Sequence, residues 1–273
     1  MKKLLFIILI FALSTAVASA TPLCTNVVTT AATFQAQGNV GCQFGDKIFY
    51  DFTYSYTVED STGAVISTTA VPGTAVTVQF SNLGGIPTQP VVTFLANWDA
   101  KYGQQGDVRI TYNVTAPPDL AMVAATLGLT GYVSNVSPTD QRKSYISGAE
   151  SICCPGPGNS VDHMGLTLTP PRTGTAGLVL ESGNTQVDFA AATQISISKD
   201  ILILAGTNTG GTPPTGNEAT LTRIDQGLIE DPPATPEPAS LLLAALGIAP
   251  LVYLKRRSGK TNSPVERHEK HPV

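Results

Sequence analysis

The chain has 273 residues, a net charge of −4 and a pI near 5.3, with 42% hydrophobic and 13% charged residues. Charge is about half the ~25% usual in a soluble domain, and no basic field is available to attract phosphates, which argues against a nucleic-acid partner. Thr, Ser, Gly, Pro, Asn and Gln make up the deficit. These residues favour strands and turns over helices and predict an all-β fold.

At the N-terminus, Lys2 and Lys3 precede an apolar run over 4–13, and Ala18-Ser19-Ala20 places small residues where a signal peptidase reads. Residues 1–20 read as a signal peptide cleaved after Ala20, because the apolar run is shorter than the ~20 residues needed to span a bilayer. Export places Cys24, Cys42, Cys153 and Cys154 where disulfides form.

Residues 21–229 carry short alternating segments separated by turn residues, the spacing of an antiparallel β-sandwich of jelly-roll or immunoglobulin-like type. The clearest is 50–58, where a period of two puts Tyr50, Phe52, Tyr54, Tyr56 and Val58 on one face. Segments 76–80, 91–98, 108–114, 166–168, 178–181, 186–190 and 194–198 read as further strands. Segments 201–204 and 219–224 read as a last hairpin, with the Gly/Thr/Pro-rich stretch 206–216 as its loop. Only 120–129 has any helical look.

Residues 230–235 open a proline-rich linker that cannot continue a strand ladder. Pro236-Glu237-Pro238 follows, then an almost wholly apolar segment over 239–254, closed by Lys255-Arg256-Arg257. The apolar segment reads as a short membrane helix, and the basic run as the stop that keeps the C-terminus inside and the β domain outside. A polar tail occupies 258–273.

The ordered trio of Pro-Glu-Pro, apolar helix and basic run over 236–257 resembles the PEP-CTERM sorting signal of Gram-negative bacteria that make extracellular polysaccharide. The resemblance implies processing near the tripeptide by an exosortase, a membrane cysteine protease or transpeptidase, and release from the inner membrane to the cell surface or matrix. The polar tail is a departure, since most such signals stop within a few residues of the basic run. The body also resembles a group of PEP-CTERM proteins that share Leu23-Cys24, then Gly41-Cys42, Gly45-Asp46-Lys47, Phe49, Phe52 and Tyr54. That spacing suggests a Cys24–Cys42 disulfide across a short loop. Cys153 and Cys154 are adjacent, and α-carbons ~3.8 Å apart fall below the usual disulfide range, so a bond between them would be strained.

Chemistry-bearing patterns are few. Of the three histidines, His268 and His271 lie in the tail, leaving His163 alone in the body, and no zinc-knuckle cysteine spacing, Gly-x-Ser-x-Gly elbow or clustered acids for calcium are present. Ser196-Ile197-Ser198-Lys199 fits a Ser-x-x-Lys pattern, but a strand sends Ser196 and Lys199 to opposite faces. Glu150 and Asp162 are the carboxylates to weigh as a glycosidase pair. No metal or cofactor is expected, and the protein reads as non-catalytic and structural or adhesive. Tyr50, Tyr54, Tyr56 and Trp98 form the one constellation with a binding interpretation, because sugar C–H faces stack on aromatic rings. If exposed, they would make the domain a carbohydrate-binding module for exopolysaccharide; if buried, they are core. A glycan-active enzyme is the third reading.

Overall fold

The computed structural model describes residues 20–68, 70–86, 89–135, 144–153, 161–169, 177–206 and 218–231. All but Ala20 of the expected signal peptide 1–20, Cys154, most of the 206–216 segment, the Pro236-Glu237-Pro238 motif, Lys255-Arg256-Arg257 and the tail lie outside them. Among the described residues no helix is long and apolar enough to cross a membrane.

The described body is a sandwich of two antiparallel sheets. Its strands are β1 (Cys42–Phe44), β2 (Lys47–Glu59), β3 (Val65–Ser67), β4 (Thr77–Asn82), β5 (Pro90–Lys101), β6 (Gln105–Thr115), β7 (Met122–Asn135), β8 (Tyr145–Cys153), β9 (Val161–Leu168), β10 (Gly177–Ala192), β11 (Gln194–Leu204) and β12 (Glu218–Glu230). A seven-stranded sheet runs β1-β2-β6-β11-β8-β9, with β3 also paired to β2. A five-stranded sheet runs β10-β7-β12-β5-β4.

Alternation drives the burial. In β6, Val108, Ile110, Tyr112 and Val114 point inward, and in β11 Ile195, Ile197, Ile201 and Ile203 do the same. Each such side chain contributes roughly 1.5–3 kcal/mol when taken out of water. Between the sheets Phe34, Phe52 and Phe94 stack in series, with ring centroids 4.4 and 5.8 Å apart, and Tyr112 lies beside all three.

Phe34 comes from outside the sheets. Helices α1 (Cys24–Val27) and α2 (Ala31–Gln35) precede the first strand. Thr30 caps α2, accepting from the Thr33 N–H at 3.2 Å while Thr33 Oγ1 accepts from the Thr30 N–H at 2.8 Å. Cys24 and Cys42 are bonded as expected, 4.8 Å apart at Cα and fully buried, so the N-terminal segment is stapled to β1. Closing an 18-residue separation stabilises by about 3 kcal/mol in the loop-entropy picture.

Three expectations need correction. Residues 120–129 are not helical, because Met122 begins the long strand β7, in which Leu127 and Leu129 face the core and Thr126, Gly128 and Thr130 face away. The two segments 178–181 and 186–190 belong to one continuous strand, β10. The last two strands are no hairpin either: β11 lies in the seven-stranded sheet and β12 in the five-stranded one.

Candidate functional site

The aromatic strip read from 50–58 is divided by a bulge. Tyr50 pairs with Asn113 and Thr53 with Thr111, so Asp51 and Phe52 together oppose Tyr112, and Asp51 takes a left-handed φ of 53°. One extra residue reverses the alternation. Tyr50 therefore lies on the outer face with Asn113, while Phe52, Tyr54 and Tyr56 turn inward. Trp98 is 0% exposed and Tyr56 1%. Trp98 Nε1 donates to Tyr54 Oη at 2.9 Å, Tyr54 Oη to Val71 O at 2.8 Å, and Tyr56 Oη to Asp99 O at 2.7 Å. Burial pushes the Tyr54 hydroxyl up to about 12, against the Trp98 hydrogen bond. Tyr50, Tyr54, Tyr56 and Trp98 thus form no common stacking surface: two are core, one is half-buried, and the fourth is on the other side of the sheet.

The carboxylates weighed as a glycosidase pair fare no better, since Glu150 is 1% exposed and lies between the sheets, away from any substrate. Ser196 and Lys199 lie on opposite faces of β11, as a strand requires. His163 lies on β9, with Nδ1 3.1 Å from Ser151 Oγ. Among the described residues no group of three His, Cys, Asp or Glu is placed to hold a metal.

A concavity lies on the outer face of the five-stranded sheet, a groove of about 720 Å³. Its floor follows from register. Across β10, β7, β12, β5 and β4, the residues Asn184, Gly128, Asp225, Thr93 and Gln79 stand side by side in one row. The next row is Gln186, Thr126, Gly227, Val91 and Ser81, and the row on the other side is Ser182, Thr130, Arg223, Leu95 and Thr77. The segment Leu83-Gly84 after β4 forms one rim, and exposed Ser182, Asn184 and Gln186 of β10 form the other.

Two glycines keep the floor low. A Cβ on Gly128 would stand 3.2 Å from Asp225 Cβ, and one on Gly227 would stand 2.4 Å from Thr126 Oγ1. The side chains at the centre are held in place: Thr93 Oγ1 donates to Asp225 Oδ1 at 2.6 Å, and Arg223 Nε donates to Asp225 Oδ2 at 2.7 Å. The Thr126 hydroxyl accepts from the Gly227 N–H at 3.1 Å, and Gln186 Nε2 donates to Asp188 Oδ1 at 2.7 Å. One row beyond Arg223, Tyr132 and Leu180 are direct cross-strand partners, 40% and 57% exposed. The arrangement presents an oriented carboxylate, a guanidinium and two carboxamides around a floor lowered at Gly128 and Gly227, next to an apolar ledge.

Sequence reasoning missed this site, although Thr126-Leu127-Gly128-Leu129-Thr130 carries the signal: small polar residues alternate with core leucines.

No protein-family model and no curated protein matches the chain. Among solved structures it is similar to TmCBM61 in complex with β-1,4-galactotriose, at 11% identity and a TM-score of 0.29, over 66% of this chain and 88% of that one. It is similar to the Family 16 Carbohydrate Binding Module-2 at 11% identity and a TM-score of 0.23, over 58% of this chain and 86% of that one. The enzymatically active domain of bacteriophage CBA120 tailspike protein 4 matches at 11% identity and a TM-score of 0.24, over 65% of this chain and 19% of that one.

Proposed function

We propose that the domain is a non-catalytic glycan-binding module of an exported protein, and that it holds polysaccharide in the groove of the five-stranded sheet. The observation that carries this is the row Asn184-Gly128-Asp225-Thr93. A sugar ring needs a shallow floor for its C–H face and fixed donors and acceptors at the height of its hydroxyls. Gly128 and Gly227 supply the floor. Asp225, locked by Thr93 and Arg223, supplies an acceptor whose orientation costs little entropy on binding. Asn184 and Gln186 supply rim groups of both polarities, and Tyr132 with Leu180 extends the apolar surface along the groove.

Isothermal titration of the purified protein against bacterial exopolysaccharide and a panel of neutral oligosaccharides tests the reading. Saturable binding that Asp225→Ala weakens by about tenfold or more supports it. Binding that survives Asp225→Ala and Asn184→Ala together, or no binding across the panel, overturns it.

The delivery of the domain rests on sequence order. The signal peptide starts export and signal peptidase removes it, the 239–254 segment arrests the chain, and an exosortase recognises Pro236-Glu237-Pro238. Expression with and without a cognate exosortase, with the C-terminus read by mass spectrometry, tests this. A full-length product ending at Val273 beside the active exosortase would make the segment a permanent anchor.

A further inference from the structure

In three strands a polar residue stands in the phase that faces the core. Lys199 interrupts Ile195, Ile197, Ile201 and Ile203 in β11; Glu150 lies between Ile146 and Ile152 in β8; Gln226 lies between Ile224 and Leu228 in β12. All three are sealed, with Lys199 1%, Glu150 1% and Gln226 0% exposed. Strands β11 and β8 are neighbours in the seven-stranded sheet, where Lys199 and Glu150 are direct register partners, while Gln226 reaches down from the opposite sheet. Lys199 Nζ contacts both Glu150 Oε2 and Gln226 Oε1. Gln226 Nε2 is turned the other way and donates to Gly227 O at 3.1 Å. Among the described residues, Glu150 Oε1 and Tyr112 Oη beside them are buried without a hydrogen-bond partner.

A charged pair in such a place is costly, and burial favours the neutral form of each partner. Burial lowers the Lys199 ammonium against the pull of Glu150, and burial raises the Glu150 carboxyl against the pull of Lys199. Moving one proton from lysine to glutamate leaves an uncharged amine touching a carboxamide, with a carboxylic acid in contact with the amine. These are the reactants and the acid–base catalyst of amide exchange.

We infer that Lys199 and Gln226 form an intramolecular isopeptide bond that joins the two sheets, with Glu150 as the proton shuttle. Lys199 Nζ attacks Gln226 Cδ while the Glu150 acid protonates Gln226 Oε1; the carboxylate then takes the extra proton from Nζ. Glu150 next passes that proton to Nε2, the Cδ–Nε2 bond breaks, and ammonia leaves. The hydroxyl proton returns to Glu150 as the carbonyl re-forms. One N–C bond forms and one breaks, no oxidant or reductant takes part, and Glu150 ends as it began. Holding the groups in contact in a dry core replaces an external catalyst, since effective molarities of ~10⁵ M or more accompany such placement.

Intact-mass spectrometry of the purified, reduced and denatured protein decides it. The expected mass is lower than the sequence mass by one ammonia, and a tryptic map should contain one branched species joining the Lys199 and Gln226 peptides, uncut after Lys199. Lys199→Arg keeps a cation but lacks the primary amine and should restore the full mass; Glu150→Gln should restore it while Lys199 and Gln226 remain in place. A wild-type protein of unaltered mass, with Lys199 and Gln226 on separate peptides, overturns the inference, as does an ammonia loss that maps elsewhere. A bond that forms fully in Glu150→Gln overturns the shuttle role.

Discussion

The two sheets turn very different outer faces to solvent. On the seven-stranded sheet polar side chains satisfy one another: across neighbouring strands Thr53 with Thr111 at 2.6 Å, Ser147 with Thr167 at 3.1 Å and Arg109 with Asp200 at 3.8 Å, and along β6 Arg109 with Asp107 at 3.0 Å. On the five-stranded sheet the corresponding rows contain Gly128 and Gly227, and the polar groups gather around one carboxylate below two rims. Cross-strand pairing uses up hydrogen-bonding capacity and leaves a level surface. Omitted side chains produce relief, and relief lets the remaining groups reach a ligand.

The strongest test of this contrast is Asp225→Ala, which removes the acceptor that Thr93 and Arg223 orient. Hydrogen bonds to a charged group are worth about 1.5–3 kcal/mol, so glycan affinity should fall roughly tenfold to a hundredfold. Titration calorimetry beside a thermal melt separates this from unfolding. Next is Gly128→Val, which raises the floor against Asp225 while β7 keeps its backbone pairing. Affinity should fall about as far with a melting temperature within a few degrees of wild type, and unchanged affinity would show that the ligand does not approach the floor.

The level face offers a test by pH. Burial, and after it the hydrogen bond and charge of Asp200, push the Asp107 carboxyl up to about 6 against the attraction of Arg109. An unfolded aspartate titrates near 3.9, so the folded state holds this proton more tightly. The group's stabilising contribution is present below about pH 4 and is lost as pH rises through about 6. Asp107→Asn should flatten that part of the stability profile in denaturant titrations at pH 4 to 7 and leave glycan binding unchanged. The smallest effect belongs to Arg109→Ala. Its side chain is 63% exposed, and surface ion pairs contribute about 0–1 kcal/mol, so neither stability nor binding should move much. A large loss of binding in Arg109→Ala would place the ligand on the wrong sheet.

The sandwich class was legible because period-two alternation survives in most strands, as in 108–114. The positions of the aromatic residues were not. A single extra residue at Asp51 moves Tyr50 to the outside, and nothing in Tyr-Asp-Phe-Thr announces a left-handed aspartate. The 120–129 segment misled because Met122, Ala124 and Ala125 put apolar residues on both parities of a strand covered by neighbours on either side. The groove was hidden for another reason. Asn184, Gly128, Asp225, Thr93 and Gln79 come from five strands and meet only through strand order. The buried lysine was visible in principle, since Lys199 stands in phase with four isoleucines.

Strand β12 has a mechanical consequence. It holds Asp225 in the groove and Gln226 in the core, and the chain leaves it at Asp231. A polysaccharide gripping Asp225 and a tether pulling beyond Asp231 would load the same strand from two points six residues apart. Between those points the tension runs along the backbone of β12, while the ladders to β7 and β5 hold the strand in place. The force would bypass the rest of the sandwich, and the domain would behave under load as a short inextensible link.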